Sequence, residues 1–239
     1  MSQMNQMNQM NYAHPGLMAA EAGTSERMAF IRRTYIHLFG AIFIFTAIEA
    51  LIFASGAAAS IAQALMGSWL IVIIAFIGVS FLANWWATRD TSPALQYAGL
   101  GIFIVVEAII FLPLLYLAVA RGGGIDVIVS AGSVTAILCG FVTIFVFVTK
   151  KDFSFMGWAL RLCMFGAIIL AVLGIIFGWA LGAWFSGLMI VLGLGYLLYE
   201  TSNVLHRYRT NQHVAASLAL FASVMLVFYY VLRLFMSRD

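Results

Sequence analysis

Charge is scarce in this sequence. Asp, Glu, Lys and Arg make up 9% of the 239 residues, against the roughly 25% usual in soluble domains, while 64% are hydrophobic. Water is therefore not the main solvent of the chain. Cysteine is scarce too: Cys139 and Cys163 lie inside apolar runs with no CxxC spacing and no neighbouring His, which argues against a disulfide scaffold or a zinc centre. No HExxH pair, GxxxxGK[ST] loop or nucleophile motif is present, so the chain is read as a non-enzyme that needs no cofactor. The net charge of +3 and pI near 9.0 come from basic residues scattered at segment ends, without interleaved aromatics, so nucleic acid is not an expected partner. The opening "MSQMNQMNQMNYAHPG" lacks a basic n-region and an apolar h-region, and the expectation is that the first span itself directs insertion.

Long apolar runs are what the chain has in place of charge. Seven of them, near 34–56, 69–87, 94–119, 125–148, 155–177, 183–204 and 214–236, are long enough at 1.5 Å rise per residue to cross a hydrocarbon core of about 30 Å. Backbone in lipid must satisfy its own hydrogen bonds, and no barrel-like alternation is present, so each run predicts a helix. The expected fold is an all-α membrane bundle of seven spans over residues 26–239, in contact with the lipid bilayer. Residues 1–25, beginning with a Met-Asn-Gln repeat, are expected to be a disordered polar tail. One side of the membrane collects Arg27, Arg32, Arg33, Arg89, Lys150, Lys151, Arg161, Arg207 and Arg209, and the other only Arg121, Arg233 and Arg238. Two uncharged connections, "SGAAASIAQALMGS" and "GWALGAW", fall on the poor side. Together these predict a cytoplasmic N-terminus and an outside C-terminus. Gly174, Gly178 and Gly182, spaced by four, suggest a flat stripe on the fifth span where another helix packs closely.

Ionisable residues at membrane depth are the informative ones, because each costs at least about 2.5–3.5 kcal/mol to insert. On the first span, Glu49 lies sixteen residues beyond Arg33, roughly 24 Å up, in the outer half. On the seventh, Arg233 lies twenty residues beyond His213, roughly 30 Å up, so a Glu49–Arg233 contact is conceivable. Glu107 precedes Pro113 by six residues, and the proline frees the carbonyl of Ile109. A kink with a free carbonyl beside a carboxyl is either a cation-coordinating corner or an ordinary bend. Glu200 in "GYLLYETSNVLHRYRTNQH" sits seven residues, roughly 10 Å, before Arg207. Its candidate partners are the hydroxyls of residues around Ser217 to Ser223 and the guanidinium of Arg161. Contact with Arg161 would hold Glu200 ionised, absence of a partner would make it proton-sensing, and snorkelling of both to the interface would leave topology alone. His206 and His213 flank the connection that follows, either as candidate proton-sensing imidazoles or as interfacial residues with no specific role.

The segments "TKKDFSF" between the fourth and fifth spans and "LYETSNVLHR" at the end of the sixth, with the ending "SRD", resemble the Bax inhibitor-1 family, most closely its bacterial YccA-type branch. The resemblance covers about residues 30–239. It implies a seven-helix bundle with the seventh helix central, in a bacterial inner membrane. In calcium-leak members a pair of aspartates on the sixth and seventh helices forms a pH-sensitive latch, assisted by an arginine ending the second. Glu200 matches the first aspartate position. The second falls on Ser223, or on Phe221 if aligned through "SLAL", neither of them acidic, and Arg89 approximates the arginine. A Glu facing a Ser lacks the coupling of two carboxylates sharing one site, and Arg161 is a candidate replacement for it.

Two functions follow as expectations from the resemblance. The first is a slow, pH-sensitive calcium or cation leak, gated by Glu200 as a weak calcium candidate, with Glu107 or Glu49 as outer ligands. The alternative is modulation of a membrane-bound AAA protease of the FtsH type, as a poorly extracted substrate. A polar tail to grip and tightly packed spans that resist extraction are its physical counterparts.

Overall fold

The computed structural model describes residues 17–88, 93–179 and 181–237. Its helices are α1 (Thr24–Ala54), α2 (Ala58–Gly67), α3 (Trp69–Thr88), α4 (Pro93–Ala118), α5 (Gly124–Thr149), α6 (Gly157–Phe177), α7 (Gly182–His206) and α8 (His213–Met236). A π-helical turn, Val119–Gly123, carries α4 past Arg121, and a 3-10 turn, Ser154–Met156, precedes α6. Six helices are long and apolar enough to cross a membrane; the count rises to seven if the bent pair α2–α3 makes one span. α1, α4, α6 and α8 run from the end bearing Arg27, Lys150 and Arg207, called the basic end below, and α3, α5 and α7 return to it.

Most helix boundaries fall where the apolar runs place them; α1 begins ten residues before its run, at Thr24, and three further regions differ. The uncharged connection "SGAAASIAQALMGS" is largely the helix α2, which meets Ile71–Trp86 at 98°. Ala, Leu, Gln and Met are strong helix formers, and weak polarity alone does not make a loop. The supposed stripe of Gly174, Gly178 and Gly182 does not lie on one helix. Gly178 (φ +67°) ends α6 in the left-handed conformation, Gly182 (φ +57°) opens α7, and only Gly174 packs within a helix, against Leu181. The close approaches are elsewhere: a Cβ on Gly193 would lie 2.8 Å from Val227 Cγ2, and one on Gly157 2.7 Å from the Tyr199 ring.

The third difference concerns the expected tail. Residues 1–16 lie outside the described part, and residues 17–19 pair with the α7–α8 connection. Thr210 N–H donates to Leu17 O (3.0 Å) and Ala19 N–H to Tyr208 O (2.9 Å), pairing Met18 antiparallel with Arg209. Ala19 is fully buried. Arg27 Nη2 donates to Leu205 O (3.1 Å) and Thr210 Oγ1 to Glu26 Oε1 (2.7 Å), so the chain is clasped to the α7–α8 connection before and after α1 begins. Composition hid this, because main-chain pairing needs no apolar side chain.

α8 is the central element. It packs against α1, α3, α4, α5 and α7, and 61% of its most apolar window is buried within the bundle. The corresponding share of α6 is 17%; that helix leans mainly on α7. Phe45, Phe103 and Phe111 pack against α8, with Phe111 stacked on Phe228 of α8 at 5.5 Å and edge-on to Phe45 at 5.2 Å.

Candidate functional site

The basic ends of α7 and α8 enclose the carboxyl group singled out in the sequence. α7 stops at His206 because the chain turns back there: Arg207 N–H and Tyr208 N–H both bond to Asn203 O (2.8 and 2.9 Å). That reversal returns Tyr208 to the helix it has just left. Tyr208 Oη donates to Glu200 Oε2 at 3.0 Å, and Asn203 Nδ2, one turn along the same face, donates to the same oxygen at 3.3 Å. Among the described residues no hydrogen bond engages Oε1. Burial, followed by the Glu200 charge, pushes the Tyr208 phenol well above its ordinary range, so it remains a donor at every physiological pH.

An open cleft of about 560 Å³ lies beside this group, lined by Ser154, Tyr199, Asn203, Arg207, Tyr208 and Gln212. Its rim is tied to the α5–α6 connection. Arg207 Nη2 donates to Ser154 Oγ (2.7 Å) and pairs with Asp152 Oδ2 (3.3 Å), and Phe153 N–H donates to Ser202 Oγ (2.9 Å). The Ser154 backbone N–H, then its hydroxyl, then Arg207 hold the exposed Asp152 carboxyl below its usual value.

The remaining singled-out residues are dispersed. Ser223 is buried on α8 and donates to its own helix at Ala219 O (2.9 Å), with no bond to Glu200. Arg161 is exposed; its Nε donates to Gly157 O (3.0 Å), and it makes no ion pair with Glu200. Arg89 lies outside the described residues. Glu49 is buried at 6% exposure with neither carboxyl oxygen hydrogen-bonded, and no ion pair joins it to Arg233, which lies near Tyr229 and Tyr230 in the last turn of α8. Glu107 is equally buried, on α4 below Pro113. His206 Nδ1 donates to Ser202 O (3.0 Å).

Chemically, this arrangement holds one carboxyl group between two neutral donors beside an open cleft. Calcium takes six to eight oxygens. Among the described residues no three His, Cys, Asp or Glu side chains gather in one place. The sequence reading missed both partners of Glu200. Asn203 was legible from its i+3 spacing, whereas Tyr208 was not, since a residue eight positions on faces elsewhere if the helix continues.

The chain is 28% identical over 177 residues to the Escherichia coli K12 protein named modulator of FtsH protease YccA, covering 71% of this chain and 76% of that one. It is 25% identical over 217 residues to Bax inhibitor 1 of Schizosaccharomyces pombe, covering 90% and 79%. A Campylobacter jejuni protein is 27% identical over 218 residues, covering 90% and 92%. With its apolar helices and such relatives, the chain is a multi-pass inner-membrane protein. The family model described as inhibitor of apoptosis-promoting Bax1 matches residues 27–239, and the chain belongs to the Bax inhibitor-1 family.

Proposed function

We propose that this protein modulates a membrane-bound AAA protease of the FtsH type by occupying it as a substrate that resists extraction. In this reading the bent pair α2–α3 counts as one of seven spans. The basic end faces the cytoplasm and the C-terminus lies outside, as the Lys and Arg distribution favours. The observation that carries the reading is the clasp of Leu17 and Ala19 on Tyr208 and Thr210. A protease pulling on residues 1–16 would load the connection into α8, the most buried helix, before it could peel α1 away. The relative named as an FtsH modulator supports the choice of partner. The test reconstitutes the full chain with an FtsH-type protease and measures co-purification and turnover. Deleting residues 2–16 is expected to abolish capture, and Ala19→Pro, which removes a clasp donor, to accelerate turnover. Undiminished capture of the truncated chain would overturn the reading.

A second reading is favoured by one observation, the uncommitted Oε1 of Glu200 beside an open cleft. In it, the bundle passes a slow, pH-sensitive leak of calcium or another cation, with Glu200 as the gate. Calcium-dye flux into proteoliposomes should fall with Glu200→Gln and survive deletion of residues 2–16. Absence of protein-dependent flux between about pH 6 and 8, the range in which such a gate would have to work, removes it.

A further inference from the structure

A second polar cluster lies at the basic end, apart from Glu200. His37 of α1, Tyr97 of α4 and His213, the first residue of α8, converge on one point. Tyr97 Oη is 2.9 Å from His37 Nε2 and 3.3 Å from His213 Nε2, and the two imidazole centroids are 5.0 Å apart. With both imidazoles neutral, the bonding pattern assigns the protons. His37 Nδ1 lies 2.7 Å from Arg33 O, and a carbonyl only accepts, so Nδ1 carries the ring proton and Nε2 presents its lone pair. The Tyr97 hydroxyl donates to that lone pair. With the phenol proton committed, His213 Nε2–H donates to the phenol oxygen. His213 Nδ1 is then left as a bare lone pair, buried and without a partner.

We propose that His37, Tyr97 and His213 bind a divalent transition-metal ion of the zinc or copper class, tying α1, α4 and α8 together. Two imidazole nitrogens and a phenol oxygen are donors that suit zinc and copper and not calcium or magnesium. A tetrahedral ion with bonds of about 2.0–2.1 Å separates its ligand atoms by ~3.3 Å. The observed 3.3 Å meets that spacing on one edge and the 2.9 Å contact falls a few tenths of an ångström short of it on another; both nitrogens aim at the phenol oxygen, so each ring must also turn by roughly 35° to aim at the ion. The bond from His37 Nδ1–H to a backbone carbonyl is the outer contact that orients metal-bound imidazoles. Tyr97 is 44% exposed, so water can reach a fourth position. The protons balance: the Tyr97 hydroxyl releases its proton to solvent, and the His213 ring proton moves from Nε2 to the empty Nδ1. One M²⁺ enters and one H⁺ leaves. Net charge therefore rises by one and not by two, which limits the added repulsion from the nearby Arg33.

The test uses the full chain, purified in detergent, stripped with chelator and titrated with Co²⁺ as a spectroscopic probe. One equivalent should bind, with the visible bands of four-coordinate cobalt, displacement by Zn²⁺ and release of one proton per ion. His37→Ala and His213→Gln should weaken binding by about 10-fold or more. Tyr97→Phe should bind more weakly and release no proton, and His206→Ala should leave binding unchanged. Absence of saturable one-to-one binding would overturn the proposal. So would binding that survives both His37→Ala and Tyr97→Phe, or that disappears with His206→Ala. If His213→Gln fails to fold, His37→Ala at its half-buried position decides.

Discussion

Glu200 and Glu49 are the same side chain in two surroundings. At the basic end, Glu200 is gripped by Tyr208 and Asn203 beside a cleft, and loops from both sides are stitched around it. In the opposite half, Glu49 is enclosed between α1 and its neighbours with both oxygens unpartnered. The first group is part of a network whose members depend on it. The second is tolerated by packing that relies on shape. The basic end is therefore organised by hydrogen bonds that reach across chain reversals, and the body of the bundle by close contact with α8.

The largest expected effect tests the shape-driven half. Gly193→Leu would drive a side chain into Val227 on α8, where a Cβ alone comes within 2.8 Å, and should cost about 3 kcal/mol in unfolding measured in detergent. Next come two substitutions of equal size and opposite sign. Glu49→Met strands no partner and should raise stability by about 2 kcal/mol, whereas Glu200→Met leaves the Tyr208 and Asn203 donors unsatisfied and should lower it by about 2 kcal/mol. Equal signs would erase the distinction between the two carboxyls. Tyr208→Phe removes one of two donors to Oε2 and should cost about 1 kcal/mol, with the loss concentrated at the basic end in hydrogen exchange.

The smallest effect belongs to the rim. The Asp152 carboxyl is held below its ordinary value, so its contribution is present above about pH 4 and is lost as acidification carries it through the lower folded value. The melting temperature of Asp152→Asn should sit slightly below wild type at neutral pH and converge with it as pH falls below about 4. A gap that persists in acid would assign the Asp152 contacts to something other than its charge.

Much of the fold was legible because the signals are local. Apolar runs located the helices from Pro93 to Met236 to within a few residues, and Glu200 emerged as a charge where lipid discourages one. α2 was missed because an Ala-rich stretch between spans carries no charge pattern. The clasp at Leu17 and Ala19 was missed because it is made by main-chain atoms. The candidate ion pairs of Arg161 with Glu200 and of Glu49 with Arg233 rested on depth alone. Depth says how far along its axis a residue lies and nothing about which way the helix is turned.

By itself the sequence determined the solvent, the long apolar helices, the more basic end and the carboxyls that had to be explained, since each follows from composition or from rise per residue. Only the tertiary structure decided the partners. Rotation of each helix about its axis, the reversal after His206 and the approach allowed by Gly193 place Tyr208 on Glu200 and bring His37, Tyr97 and His213 to one point. Those angles come from side chains filling space against α8, a property of several segments at once that no single stretch of sequence encodes.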